Sequence, residues 1–358
     1  MTATHATEPD PAAVEAFVGR FATDLAAVAH AATVVLGDKL GLYQALAEHG
    51  PATPAELAAA TGCDERYLRE WLSAQAASEY ACYDPATERF HLDPAQRTCL
   101  AEPNHPAFMA GGMSVVSSMH KDEETVREAF TTGAGVGWHE HHHDLFTGTE
   151  RFFRPGYVAN LTTSWIPALD GIEAKLIAGA TVADVGCGHG ASTILLAEAY
   201  PASRIVGFDY HAESIEVARK RAAEAGVSDR VRFEVAGADQ FPGTGYDLVC
   251  IFDALHDMGD PEAAARHIRS ALADDGTWLL VEPAAGDRVE DNLHLVGRIF
   301  YSASTMICVP VSRSQDVDRA LGAQAGPARL REVVTEGGFG QFRQAVETPF
   351  NQVYEIRH

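Results

Sequence analysis

Thr181-Val-Ala-Asp-Val-Gly-Cys-Gly-His-Gly190 is the stretch whose reading decides the fold. Thr181 to Val185 is a β-branched run of the kind that forms a buried strand, and it breaks into Gly186, Gly188 and Gly190. Ala191 to Tyr200 then has helical spacing. A second apolar run, Arg204-Ile-Val-Gly-Phe-Asp209, ends on a carboxylate roughly 20 residues past the glycines, as in a dinucleotide-binding unit. Glycine lets backbone approach a ligand closely, and a helix start offers unpaired N–H groups. A carboxylate at a strand tip can accept hydrogen bonds from two ribose hydroxyls. Together these features predict a nucleoside-cofactor site. The spacing G-x-G-x-G departs from the pyrophosphate fingerprint G-x-G-x-x-G. Asp184, ahead of the first glycine, is expected to aim negative charge into the pocket, which repels a diphosphate and suits a cationic amino group and a sulfonium.

The chain has 358 residues, of which 46% are apolar, and this length favours two domains over one. Cys63, Cys82, Cys99, Cys187, Cys250 and Cys308 are scattered with no C-x-x-C pair, as expected of thiols in a reducing cytoplasm. Met1 to Asp10 shows no basic region leading into an apolar one, so no signal peptide is expected. No uninterrupted apolar run reads as a membrane span. A formal net charge of −23 repels polyanions, which argues against nucleic acid and anionic lipid as partners. A cytoplasmic location follows as the expectation.

Residues 11–48 carry helical apolar spacing (Phe17, Phe21, Leu25, Val28), with a second helix expected from about Ala32 to Glu48. Thr53, Pro54 and Glu56 form a capping box for the next helix, and Asp64 caps another that runs through Trp71 and Leu72. Tyr80-Ala-Cys-Tyr and Arg89-Phe-His-Leu read as a hairpin. Helix, turn, helix and two-stranded wing make residues 1–105 a winged helix. A DNA reader needs a basic recognition helix. Here the second helix opens Asp64-Glu65-Arg66, and Arg20, Lys39, Arg66, Arg69, Arg89 and Arg97 are the cations before residue 106. Dimerisation is the expected role, with a homodimer through this domain.

Residues 106–177 read as a helical connecting and pocket region. Gly111-Gly112 and Thr131 to Gly137 are expected joints, with a helix from Ser118 to Phe130 between them. Trp138-His-Glu-His-His-His-Asp144 offers metal-ligand types, with His139 and His143 at i, i+4. It lacks an apolar framework to fix them and reads as a pocket rim or solvated loop, with no metal expected. Phe153, Tyr157 and Trp165 are candidates for the pocket wall, and equally for core.

From Ala178 strands and helices alternate regularly: Val231 to Ala236, Tyr246 to Phe252, Thr277 to Glu282, Phe342 to Thr348 and Gln352 to Arg357 complete an α/β sheet. Asp184-Val-Gly-Cys-Gly-His-Gly190 and Asp209 resemble the class I S-adenosylmethionine-dependent methyltransferases, and Leu255-His-Asp257 resembles the motif of their small-molecule O-methyltransferases, which commonly carry a winged-helix dimerisation domain. The resemblance implies a Rossmann-like seven-stranded sheet over residues 178–358 with the last strand antiparallel. It implies S-adenosyl-L-methionine as cofactor and S-adenosyl-L-homocysteine as product. The cofactor would be held by Asp184, Gly186, Cys187, Gly188, Gly190, Asp209, Tyr210, Ala238, Asp239, Phe252 and Asp253, with Asp239 at the adenine amino group. It also implies His256 as general base, Asp257 as its neighbour and Glu282 as the acid that orients it. A further acid of that family has no match after Arg329-Leu-Arg-Glu332.

Two readings of His256 stay open, the base or the cap of a helix beginning near Asp260-Pro261. Residues 287–327 are long for a connection and read as a lid insertion, with Tyr301 and Met306 as further pocket candidates. The expected activity is methyl transfer to a small, partly apolar acceptor, most simply a hydroxyl. The rivals are a cofactor-gated winged-helix regulator and a protein of this fold that binds the cofactor without methylating.

Overall fold

The computed structural model describes residues 9–358 and divides into two units between Met113 and Ser114. Residues 1–8, on which most of the leader reading rests, lie outside the described residues.

In the first unit the helix break expected near Ala32 does not occur. One 29-residue helix runs Pro11–Lys39, started by the Asp10 cap and followed by Leu42–His49. Nothing near Ala32 opposes a helix; the chain turns instead at Gly41, whose φ of 68° favours glycine. The capping box of Thr53 and Glu56 opens Pro54–Thr61, and Asp64 caps Glu65–Ala77 as expected. Leu68, Trp71 and Leu72 of that helix pack with Val34, Leu42, Tyr43, Leu46 and Leu57. Strands β1 (Cys82–Asp84) and β2 (Arg89–His91) pair antiparallel as the wing. By contrast Val14, Phe17, Val18, Phe21, Leu25 and Val28 are exposed along the long helix.

The connecting region is helical but differs in its joints. Gly111 and Gly112 lie inside the helix Ala110–Lys121, and the next helix is Glu123–Thr132. The single helix expected over Ser118 to Phe130 is therefore broken at Asp122. Its carboxylate accepts from the backbone N–H of His142 at 3.0 Å and contacts His141 Nδ1 at 3.0 Å. A tertiary contact thus interrupts a locally sound helical pattern.

The second unit is built on β3 (Thr181–Val185), β4 (Arg204–Asp209), β5 (Val231–Val235), β6 (Tyr246–Phe252), β7 (Leu272–Pro283), β8 (Gln341–Glu347) and β9 (Asn351–Arg357). These form one seven-stranded sheet in the order β5-β4-β3-β6-β7-β9-β8. The strands from β5 to β7 are parallel, and β9 runs antiparallel to β7 and β8, so the last strand is the reversed one. One core lies on each face, one around Leu176, Leu196, Leu248 and Leu279, the other around Val249, Ile251, Ile268 and Trp278. The chain winds outward from β3 through β4 to β5 and returns to β6 on the other side of β3. Such a reversal opens a crevice at the carboxyl ends of β3 and β6.

Against the sequence expectation, one helical stretch, Leu295–Arg313, is long and apolar enough by length and composition to cross a membrane. Phe300, Ile307, Cys308 and Val311 from it pack with Leu145 and Ala323, as in the core helix of a folded unit. It contains a π-helical turn, Ser304–Cys308.

Thr53→Ala removes the acceptor for the Glu56 N–H and should destabilise the first unit by about 1 kcal/mol. A thermal melt of Thr53→Ala against Thr53→Ser checks this, since serine keeps the cap and should stay near wild type.

Candidate active site

The crevice gathers several of the residues singled out by the sequence. Gly186, Gly188 and Gly190 have φ of 75°, 51° and 78°, so the loop leaving β3 requires a backbone that L side chains resist. A Cβ at Gly186 would meet Ala254 at 2.9 Å and one at Gly190 would meet Phe233 at 2.7 Å, whereas at Gly188 nothing lies within 4 Å. The first and third glycines are thus required by packing, and the middle one faces open space that a ligand can fill.

Asp184 has a structural task as well. It is fully buried beneath the loop, and its Oδ2 accepts from Ser192 Oγ at 2.7 Å and Thr193 Oγ1 at 2.6 Å at the start of the helix Ala191–Ala199. Its first task is to tie strand to helix; only Oδ1, buried without a hydrogen-bond partner, is left for a ligand. Burial pushes its carboxyl up to about 6 against the pull of the two hydroxyls. At the tip of β4, Asp209 accepts from the N–H of Gly188 at 2.9 Å and of His211 at 2.8 Å. Burial raises it too. Tyr210 and Asp239 are exposed at the ends of β4 and β5, and Ala238 is half-buried. Cys187 is buried in the core below the loop.

β6 ends at Phe252 and delivers Asp253 with φ of 50°, a strained backbone for a side chain with a Cβ. Its carboxylate accepts from Tyr157 Oη at 2.9 Å and Asn351 Nδ2 at 2.7 Å. Burial, with Glu282 adding to it, pushes Asp253 up to about 8. Tyr157 therefore reaches the site, and Asn351 joins it unanticipated because nothing in β9 marks it. Trp165 is a correction: it is fully buried, edge-on to Tyr157 and stacked on Phe252, and has no surface to offer a ligand. Phe153 stacks on Tyr157 and stays half-buried.

His256 lies in a short turn, Leu255–Asp257, directly after this strand end. Asp260 caps the following helix, Pro261–Ala271, accepting from Ala263 N–H at 2.7 Å, so His256 is not its cap. His256 Nδ1 meets Glu282 Oε2 at 2.6 Å, and Glu282 Oε1 accepts from Leu255 N–H at 3.0 Å. Both side chains are buried. Burial opposes a charge on the imidazole, but Glu282 and then Asp257 outweigh it and hold His256 well above its ordinary value. The insertion is fastened to the same turn: Gln315 Nε2 donates to the carbonyl of Asp257 at 2.8 Å, and Ser312 Oγ to that of Met258 at 2.8 Å. Within it Tyr301 and Met306 are half-buried, and Met306 packs on the cluster around Phe300.

The expected i, i+4 pair His139 and His143 does not share a helix. His139 is in the turn Trp138–Glu140, and His143 precedes the helix Asp144–Asn160. One residue that sequence reasoning passed over stands beside the His256 turn instead. Cys308 lies next to His256 and Asp257, and burial raises the Asp257 carboxyl.

Glycine loop, acidic strand ends and reversed sheet order define a Rossmann-like nucleoside-binding fold of the methyltransferase type. Residues 177–338 match the family model described as a methyltransferase domain, and residues 27–102 match that of the Rv2258c-like winged HTH domain. Two family models thus match successive parts of the chain, a winged helix-turn-helix domain followed by a methyltransferase domain. It is 34% identical over 118 residues to 27-O-demethylrifamycin SV methyltransferase of Amycolatopsis mediterranei, covering 31% of this chain and 43% of that one. With the mitomycin biosynthesis 6-O-methyltransferase of Streptomyces lavendulae it shares 26% identity over 316 residues, 82% of this chain and 88% of that one. Human N-acetylserotonin methyltransferase, solved in complex with S-adenosylmethionine, superposes with a TM-score of 0.69 at 17% identity over 98% of this chain and 99% of that one. The chain spans less than half the length of several curated relatives that it matches, 23%, 43% and 40% in three cases.

Because Glu282 holds the imidazole up, Glu282→Gln should lower the titration midpoint of His256. Histidine ring NMR signals followed against pH check this, and an unmoved midpoint would show that the contact does not govern the proton.

Proposed function

We propose that this protein transfers the methyl group of S-adenosyl-L-methionine to a hydroxyl of a small, partly apolar acceptor, with His256 as general base. The observation that carries the reading is the His256–Glu282 contact set beside the glycine loop and Asp209 at the carboxyl edge of one sheet. The two bacterial relatives named above support the hydroxyl, since their names place methylation on oxygen.

The residues present fit the cofactor. Asp209 has lone pairs left for ribose hydroxyls, and the open space at Gly188 admits an adenosyl group against backbone. Asp184 Oδ1 is an unused buried acceptor on the side where a methionine ammonium would lie. Tyr210, Ala238 and Asp239 would flank the adenine, with Phe252 and Asp253 toward the sulfur. Three carboxyls raised by burial mark a crevice that gains from a positively charged ligand. The cofactor supplies an already activated methyl, so the protein's task is to place the acceptor oxygen in line within about 3–3.5 Å.

Glu282 accepts the Nδ1 proton, which leaves Nε2 as the acceptor in the neutral ring. An ordinary phenol has a pKa of about 10 and an ordinary histidine about 6.5, a gap of roughly 5 kcal/mol that the raised pKa of His256 narrows. His256 therefore takes the proton as the methyl moves. Since its imidazole must be neutral to act, kcat/KM should rise with pH through the raised pKa of His256, and Glu282→Gln should shift that rise to lower pH.

In the winged domain we infer assembly rather than DNA binding. Arg66, Arg69, Arg89 and Arg97 each pair with a glutamate, which withdraws them from phosphate. The exposed stripe along Pro11–Lys39 fits a second copy of the chain, for which a two-fold dimer is the default solution.

With labelled cofactor and a panel of phenolic and alcoholic acceptors, His256→Ala should lose about a hundredfold or more in turnover while cofactor affinity holds. Equal turnover and equal pH profiles for mutant and wild type would remove His256 from the chemistry. Asp209→Ala should weaken S-adenosyl-L-methionine and S-adenosyl-L-homocysteine alike by about 2–3 kcal/mol, read by calorimetry. Light scattering should find a dimer that Phe17→Glu with Phe21→Glu splits.

A further inference from the structure

The side of the His256 turn away from Glu282 carries donors that the methyl-transfer reading does not use. Ligand atoms of His256, Asp257 and Cys308 lie within 4.8 Å of one another. His256 Nε2 stands 3.3 Å from Asp257 Oδ1, and that oxygen is buried without a hydrogen-bond partner.

The pattern is specific. The His256 imidazole is gripped at Nδ1 by the buried carboxylate of Glu282, which leaves Nε2 as the free donor. Carboxylates in that position are the usual outer partners of metal-bound histidine. Nitrogen, thiolate sulfur and carboxylate oxygen make up a zinc donor set. Ligands about 2.0–2.3 Å from a tetrahedral ion stand roughly 3.3–3.8 Å apart. The 3.3 Å between His256 Nε2 and Asp257 Oδ1 already matches such an edge. The π-helical turn Ser304–Cys308 brings the sulfur to the other two. The neighbouring set of His142, His143 and Asp144 is a poorer one: Lys121 Nζ holds Asp144 at 2.5 Å, the Asp144 N–H donates to His142 Nδ1 at 3.1 Å, and His143 is exposed.

We propose that His256 Nε2, Asp257 and Cys308 Sγ form a binding site for a divalent ion of the zinc class. Binding releases the Cys308 proton and forms a thiolate–metal bond, so affinity rises with pH. The ion also takes the lone pair of His256 Nε2. Loading therefore arrests methyl transfer, a consequence that rests on the reading of His256 as general base.

Cobalt(II) added to the full-length protein is the probe. The expected result is saturation at one ion per chain with a thiolate-to-cobalt charge-transfer band, lost in Cys308→Ser. Asp257→Asn, which leaves the sulfur in place, should weaken zinc at least tenfold in competition with a chromophoric chelator. Absence of stoichiometric binding, a band unchanged in Cys308→Ser, or binding lost in His143→Ala but intact in Asp257→Asn would each overturn the site. Zinc should lower turnover in step with occupancy, and chelation should restore it. If cobalt binds as described while zinc leaves turnover untouched, the site stands and the base role of His256 falls. If no ion binds while His256→Ala loses turnover, the base role stands and the site falls.

Discussion

The reversal of strand order at β3 is the constraint on which the rest depends. A parallel sheet that winds outward through β4 and β5 and resumes at β6 leaves no helix covering the carboxyl ends of β3 and β6. The glycine loop, Asp209, Asp253 and His256 all emerge at this edge because each follows a strand or its first turn. The backbone there carries the cost of the site, with positive φ at Gly186, Gly188, Gly190 and Asp253. Packing of Ala254 and Phe233 against the outer glycines holds the loop in that form.

Negative charge is the second constraint. Asp184, Asp209, Asp253, Asp257 and Glu282 share the crevice, and burial raises the first four. Hydroxyls, an amide, backbone N–H groups and the His256 ring satisfy these carboxylates in part. Two oxygens, Asp184 Oδ1 and Asp257 Oδ1, stay buried without hydrogen bonds. One lies under the glycine loop and the other beside Cys308, so the demand for positive charge is split between two places. That split is the physical ground for reading a cationic cofactor at the first and a metal ion at the second.

The winged unit shows a different balance. Its core is closed by Trp71, Tyr43 and Leu72, while the long helix leaves seven large apolar side chains in solvent. An apolar stripe of that length marks an interaction surface. Arg66, Arg69, Arg89 and Arg97 are already paired with glutamates. The two facts point the same way, toward a protein partner and away from a polyanion.

Much of this was legible in the chain itself. The seven strands, the glycine loop, the Thr53 and Asp64 caps and the wing follow from local rules: side-chain period, glycine φ and caps whose partners lie within a few residues. The acidic strand ends were legible because a strand end is local too. Tertiary packing decided the rest. The long helix continued past Ala32 because nothing local stops it, and Asp122 broke a good helical pattern because its carboxylate is used by His141 and His142. Trp165 became core and Asn351 reached Asp253 through packing between elements far apart in sequence. Cys308 meets His256 and Asp257 for the same reason. No spacing in a sequence encodes a contact that exists only once the insertion has folded over the end of β6.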